Sequence, residues 1–330
     1  MTGSLLVVVV GTALLFDFTN GFHDSANAIA TSISTRALRP GVALGMAAVA
    51  NILGALISTE VAATLGKGIV ETHAVTQLVV LAALVGAVIW NFITWYFGIP
   101  SSSSHALIGG LIGAVLAAAS SSEVKWRGIL EKVIVPTLTS PAIGLVVGAI
   151  LATALYWTFR RARPYTASNG FRHAQTASAA MMAFSHGSND AQKTMGVIAL
   201  ALLAAGRIDH FFVPLWVKLA SAFTIGLGTF SGGKRIIRTL GMKLVKLQPI
   251  DGFAAETAAS AVLLTTAHLG FPISTTHVIT SSIMGVGATK RLSAVKWGVT
   301  FNILLAWLLT LPAAALIAGL FYKIVTTFQG

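Results

Sequence analysis

The sequence predicts an all-α integral membrane protein, with about ten membrane-embedded segments in two inverted-topology repeats that contain broken or re-entrant helices. Three observations predict this. Of 330 residues, 55% are hydrophobic and only 10% charged, with a mean hydropathy of +0.82, whereas soluble domains carry roughly a quarter charged residues. Apolar stretches of spanning length recur along the whole chain. The second half repeats the motifs of the first in the same order.

The segments run 4–34 (interrupted), 41–65, 74–97, 101–118, 133–159, 173–205 (interrupted), 212–232, 254–269, 272–288 and 297–322. Their length suits helices crossing a hydrocarbon core of roughly 30 Å and exceeds the ~10 residues of a barrel strand. Thr2 to Ser4 carry no positive charge, so the first segment reads as a retained helix and not a cleaved signal.

A net charge of +12 raises nucleic acid as a partner. The basic residues, however, sit in short connectors, where positive-inside topology accounts for them and the lipid bilayer is the partner. With no cysteine, disulfides, thiolate metal sites and cysteine nucleophiles are excluded. The expected organisation is a first repeat over 1–159, a basic cytoplasmic linker over 160–172 and a second repeat over 173–330.

The repeat rests on collinear motifs. NGFHDSANAIATS, from Asn20, faces SHGSNDAQKTMGV, from Ser185; Gly98-Ile-Pro-Ser-Ser-Ser-Ser-His105 faces Gly270-Phe-Pro-Ile-Ser-Thr-Thr-His277; Val124-Lys-Trp faces Val295-Lys-Trp. The offset is 166 between Asp24 and Asp190, 172 between Pro100 and Pro272, and 171 between Lys125 and Lys296. Only small insertions separate the halves.

Charge then orients them. Arg36 and Arg39, the cluster Arg160, Arg161, Arg163 and Arg172, the run from Lys234 to Lys246, and Lys290, Arg291 and Lys296 are expected inside. The first-half connector matching 234–246 carries Glu60, Lys67 and Glu71 and reads as outside. Equivalent loops on opposite faces make an inverted repeat, whose substrate site lies near the midplane between the halves. Segments 74–118 and 254–288 must then leave and re-enter on one side, and both termini fall outside.

In each half a proline follows an apolar helix and precedes hydroxyl residues. Proline suits a first helical turn, so Pro100 and Pro272 are expected to begin half-helices inside the membrane. Unpaired N–H groups and the positive end of the dipole make such a start an anion site. Ser102, Ser103 and Ser104, with Ser274, Thr275 and Thr276, would add hydroxyl donors, and two opposed starts fit a small tetrahedral oxyanion. Alternatively, these hydroxyls cap helices or return hydrogen bonds to the preceding turn. Ser101 faces Ile273 in the alignment and is the serine least expected to touch an anion. His105 and His277 are candidates for proton transfer or for contact with the anion, with a packed neutral imidazole as the alternative.

Asp24 and Asp190 are the sharper signal, because an aspartate at mid-membrane costs roughly 2.5–3.5 kcal/mol even on lenient scales. Asn27 and Lys193 follow three residues later on the same helix face. Asp24 with Asn27 offers oxygen ligands that could hold a cation such as Na+, whereas Asp190 with Lys193 is an internal ion pair that could replace a sodium ion or contact the anion. That asymmetry favours proton coupling over two sodium sites. Asn189, Gln192, His23 and His186 flank the aspartates as ligands of theirs or as caps at a helix break. No catalytic residue and no protein-bound metal or other cofactor is expected.

The remaining features are scaffold. Trp90, Trp95, Tyr96, Trp126, Trp157 and Trp297 read as interfacial anchors, and Gly109, Gly110, Gly113 and Gly285 as close-packing positions. The basic stretch Gly233 to Pro249 reads as an amphipathic segment along the cytoplasmic surface. Glu60 and Glu256 read as solvated carboxylates near span ends.

The motifs NGFHDSANAIATSISTRAL, WNFITWYFGIPSSSSHALIG and AFSHGSNDAQKTMG resemble the inorganic phosphate transporter family, and within it the bacterial low-affinity branch. The resemblance runs in order over essentially the whole chain. It implies phosphate uptake across the bacterial cytoplasmic membrane, driven in that branch by protons and often with phosphate as a neutral complex with a divalent metal. It also implies that Ser102 to Ser104 and Ser274 to Thr276, with Lys193 and Gln192, hold phosphate, while Asp24, Asn27, Asp190 and Asn189 face the coupling ion. The sodium-dependent branch has asparagine after aspartate in both repeats; Lys193 departs from that pattern. A homo-oligomer, a dimer, is expected.

The expectation is therefore a secondary-active phosphate importer and not an enzyme. The rival in the same fold class is a sulfate or related oxyanion permease. A membrane phosphatase or phosphotransferase would need chain-specific Ser, His and Asp roles, yet here these residues are duplicated. A passive anion channel would need positive rings lining the pore.

Overall fold

The computed structural model describes residues 2–329. It is all-helical, with α1 Thr2–Ser34, α2 Pro40–Ala55, α3 Glu60–Gly68, α4 Gln77–Phe97, α5 Ser103–Ala118, α6 Trp126–Ile129, α7 Val135–Thr158, α8 Pro164–Ala204, α9 Leu215–Ser231, α10 Lys234–Arg238, α11 Pro249–His268, α12 Thr275–Lys290 and α13 Trp297–Gln329. A π-helical turn, Leu130–Ile134, joins α6 to α7, and another, Thr239–Leu244, follows α10.

Among the described residues, four helical runs are long and apolar enough to cross a membrane: Gly3–Ser34, Gln77–Phe97, Trp126–Thr158 and Trp297–Phe328. The pair α2 and α3, bent by 65°, makes a fifth if counted as one. α8, at 41 residues, is long enough, but its central polar residues lower its hydropathy. α5 and α12 are 16 residues each, roughly 24 Å at 1.5 Å per residue, which is short of a full span.

Helix packing keeps its pattern when the halves are exchanged. α5 packs along α13 and α12 along α7; α1 packs along α9 and α8 along α2; α4 meets α5 as α11 meets α12; and α1 meets α4 as α8 meets α11.

There are two apolar cores. One gathers α4 and α5 with Val9, Ala13 and Phe16 of α1 and Ala191, Met195 and Ile198 of α8. The other gathers α11 and α12 with Ala26, Ile29 and Ala30 of α1 and Met182 and Ala183 of α8. α1 and α8 thus each cross from one core to the other, and their aspartates lie at the crossing.

Close backbone contact sets these distances. A Cβ at Gly113 would lie 2.0 Å from the Ala315 carbonyl, and one at the equivalent Gly285 would lie 2.0 Å from the Leu145 carbonyl. Gly109 and Gly110 are nearly as tight, at 2.3 Å from the Leu311 carbonyl and 2.4 Å from the Ala83 carbonyl, in keeping with the close packing expected of all four glycines.

One expectation is corrected. Glu256 is not solvated: it is fully buried on α11, because α1 and α8 cover that face. In the basic stretch, Ile236, Ile237, Leu240 and Leu244 are buried in the second core while Lys234, Arg235, Arg238 and Lys243 are exposed, so its apolar side packs on the protein. The 160–172 segment is helical from Pro164 onward.

Candidate substrate site

Each half-helix is prepared by the same local chemistry. α4 ends in Gly98 at φ 66, and α11 is followed by Gly270 at φ 73; glycine takes this left-handed conformation without the Cβ penalty. Pro100 and Pro272 lie before the N-caps Ser102 and Ser274, not in the first turn as the sequence suggests. Proline there stiffens an extended lead-in, and serine caps better because its side chain can accept an N–H. Ser102 Oγ accepts from His105 N at 3.1 Å and Ser274 Oγ from His277 N at 3.3 Å.

The remaining hydroxyls meet the aspartate helices as equivalent pairs. Ser103 Oγ donates to Asp24 Oδ2 at 3.1 Å; its counterpart Thr275 Oγ1 donates to Asp190 Oδ2 at 3.2 Å. Ser104 Oγ accepts from Lys193 Nζ; its counterpart Thr276 Oγ1 accepts from Asn27 Nδ2 at 2.9 Å. Asn27 and Lys193 therefore each reach the half-helix of the other repeat. Asn27 also reaches Thr275 Oγ1 at 3.3 Å, and Thr276 Oγ1 donates to Asp24 Oδ1 at 3.3 Å.

The charges are paired inside this cluster. Lys193 Nζ bonds Asp190 Oδ1 and the Ile273 carbonyl at 3.0 Å. His23 Nδ1 is 2.7 Å from Asp24 Oδ1. His186 lies with Nδ1 2.7 Å from Asn51 Oδ1 and Nε2 3.2 Å from Asp190 Oδ2. Ligand atoms of Asp24, His186 and Asp190 lie within 4.8 Å of one another, an arrangement that could hold a cation. All of these side chains are buried.

Some expected members sit elsewhere. Gln192 turns to α3, where its Oε1 accepts from Val61 N at 2.8 Å, and its amide bonds the Ser188 carbonyl. Asn189 is buried without a hydrogen-bond partner among the described residues. Ser101 donates to Thr94 Oγ1 at 2.8 Å, and the same Thr94 holds His23 Nε2 at 3.1 Å. His105 and His277 stand edge to face, with centroids 4.7 Å apart. His105 Nε2 bonds Thr137 of α7 at 2.8 Å, whereas His277 stacks on Trp307 at 3.8 Å. Both rings line a cavity of about 660 Å³ between α7 and α13.

Sequence reasoning misreads buried Glu256 and misses buried Asp17 and Asp251, the last held by Lys290 and Tyr156 at the start of α11. Glu256 accepts from Thr31, from Ser178 and, at 3.2 Å, from Gln175 Nε2. Asp17 accepts from Thr194 Oγ1 at 2.9 Å. Neither has an acidic counterpart in the other repeat, where Leu84 and Ala183 stand. The signal available was a polar stripe at Asp17, Asn20, Asp24, Asn27 and Thr31, the i, i+3, i+7 rhythm of one helix face.

Comparison with known proteins agrees with this architecture. The family model described as the phosphate transporter family matches residues 20–318. A Rhizobium meliloti (strain 1021) protein named "Probable low-affinity inorganic phosphate transporter" is 49% identical over 320 residues, 96% of each chain. A Mycobacterium tuberculosis (strain H37Rv) protein of the same name is 48% identical over 328 residues, 99% of this chain and 79% of that one. A solved structure described as "The sodium-dependent phosphate transporter" superposes with a TM-score of 0.89 at 25% identity, over 98% of this chain and 99% of that one. With 299 consecutive residues matched by the family model, from 20 to 318, this chain belongs to the phosphate transporter family.

Proposed function

We propose that this chain imports inorganic phosphate across the bacterial cytoplasmic membrane as a secondary-active symporter, coupled to a cation, with the proton favoured over sodium. The observation that carries the reading is the pair of capped half-helix starts, at Ser102 to Ser104 and Ser274 to Thr276, meeting around Asp24, Asn27, Asp190 and Lys193. Helix starts and an ammonium suit an oxyanion. The two aspartates suit a protonated phosphate, which can donate an O–H to a carboxylate; sulfate cannot.

Lys193 supports proton coupling, because a fixed ammonium occupies the position where Asn27 offers an oxygen in the first repeat. A sodium ion at Asp24 and Asn27 is the second reading, favoured by the clustered oxygens there and by a structural relative named for sodium dependence. Transport is by movement of one repeat or bundle against the other, with about ten embedded segments in two inverted repeats (1–159 and 173–330, joined by the 160–172 linker) and both termini outside. The exchange-symmetric helix packing supports that arrangement. The substrate form is phosphate alone or its neutral complex with a divalent metal, and the assembly is a dimer.

Radiolabelled phosphate uptake into proteoliposomes under separately imposed proton and sodium gradients tests the reading. Acceleration by an inward proton gradient is expected, with weak competition from sulfate. Uptake indifferent to both gradients would overturn symport, and strong sulfate inhibition would reassign the substrate.

A further inference from the structure

Asp17 lies two helical turns, about 10 Å, from Asp24 toward the N-terminal end of α1. It is fully buried within a run long and apolar enough to span the membrane. Only its Oδ1 is engaged, by Thr194, the residue after Lys193. Its Oδ2 has no partner among the described residues, and neither has either amide atom of Asn20, which is one turn away and equally buried.

The other carboxylates of this region have basic partners. Asp190 has Lys193 and stands beside His186, and Asp24 has His23; among the described residues no Lys, Arg or His is paired with Asp17, whose partner is Thr194. Those side chains are the charged and titratable groups at the crossing of α1 and α8. The neighbouring α4, α2 and α9 contribute Asn91, Asn51 and Thr229 to the polar network, none of which titrates.

A carboxylate is costly in hydrocarbon when it has neither a counter-charge nor donors enough to satisfy it; Glu256 has three donors, whereas Asp17 has one. A divalent metal ion would need a shell of about six oxygens, and the uncommitted ones here among the described residues are three, Asp17 Oδ2, Asn20 Oδ1 and Asn91 Oδ1. A proton needs one acceptor atom, which Asp17 Oδ2 provides, and leaves the carboxyl neutral.

We propose that Asp17 is the group that carries the coupling proton, a role that rests on the proton-symport reading above. A proton from the outer side adds to Oδ2, forming an O–H and neutralising the carboxylate; release to the inner side breaks that O–H and restores the charge. Thr194 joins this event to the phosphate site, because it lies four residues after Asp190, on the same face of α8. Ala183 stands at the equivalent position of the second repeat, so the device is single, as one coupled charge requires.

The test uses the full-length protein in liposomes containing a pH dye, with inorganic phosphate as the probe. In Asp17→Asn, phosphate-coupled proton influx falls at least about tenfold and uptake loses its pH dependence, while phosphate-for-phosphate exchange falls by much less. Asp17→Glu restores coupling with a displaced pH profile. A wild-type ratio of protons to phosphate in Asp17→Asn would overturn the proposal, as would loss of a sodium-driven component in its place. If the wild-type protein itself moves no protons with phosphate, the symport reading fails first and this proposal fails with it. Should Asp17→Asn fail to fold, Thr194→Val provides the reading: a shifted pH profile supports the proposal and an unchanged one overturns it.

Discussion

Lys193 of the second repeat donates to Ser104 of the first, and this pair is the counterpart of Asn27 donating to Thr276. Each repeat's polar helix therefore closes the other repeat's half-helix. The difference is one charge, since the ammonium also holds Asp190. Lys193→Asn should leave Asp190 buried with His186 as its one basic neighbour among the described residues and Thr275 as a neutral donor. Removing one partner of a buried pair costs roughly 3–5 kcal/mol, so a clear drop in thermal midpoint is expected, with KM for phosphate raised at least about tenfold. Unchanged uptake and unchanged ion dependence would remove the ammonium from the coupling scheme.

The equivalence of Ser103 with Thr275 makes a paired prediction. Each donates to one buried aspartate oxygen at nearly the same distance, 3.1 and 3.2 Å. Ser103→Ala and Thr275→Val should each cost about 1–3 kcal/mol through an under-satisfied acceptor and raise KM by comparable factors. Uptake kinetics on both variants check this, and an effect confined to one would show that the two half-helices are not functionally equivalent.

Glu256 holds α11 to α1 and α8 through Thr31, Ser178 and Gln175. Glu256→Ala should strand these donors and leave a cavity, lowering stability by roughly 2–4 kcal/mol. Glu256→Gln keeps the shape and most acceptor capacity, and should lose less than half of that. Thermal melting in detergent distinguishes the two, and equal losses would mean that the charge itself is required.

At Gly113 a methyl group would strike the Ala315 carbonyl, and at Gly285 the Leu145 carbonyl. Gly113→Ala should therefore push α5 from α13 and destabilise by about 2 kcal/mol or more, whereas Gly11→Ala, with nothing within 4 Å, should be neutral. Melting and expression level measure both.

Much of the fold and site was legible in the sequence because membrane burial makes polarity expensive. Asp24, Asp190 and the two hydroxyl clusters stood out as exceptions in apolar runs, and their collinear repetition showed them to be equivalent. Pro100 and Pro272 marked where the next helices begin to within a few residues, the N-caps being Ser102 and Ser274. Helix-level positions followed, since apolar runs and breakers are local properties.

Tertiary structure alone decided which side chains meet. Gln192 lies one residue before Lys193, yet it turns to α3 because successive helix positions point about 100° apart and a neighbour covers that face. Glu256 was read as solvated because nothing local shows that α1 and α8 lie over it. Asp17 has no repeat partner to draw attention to it, and its isolation is visible only once the surrounding helices are in place. The sequence by itself determined a helical, duplicated membrane protein with its polar residues at set positions. The packing of α1 and α8 across two cores decided which of those residues are paired, which cap, and that Asp17 and Glu256 are left without a counter-charge, because pairing depends on distances between helices far apart in the chain.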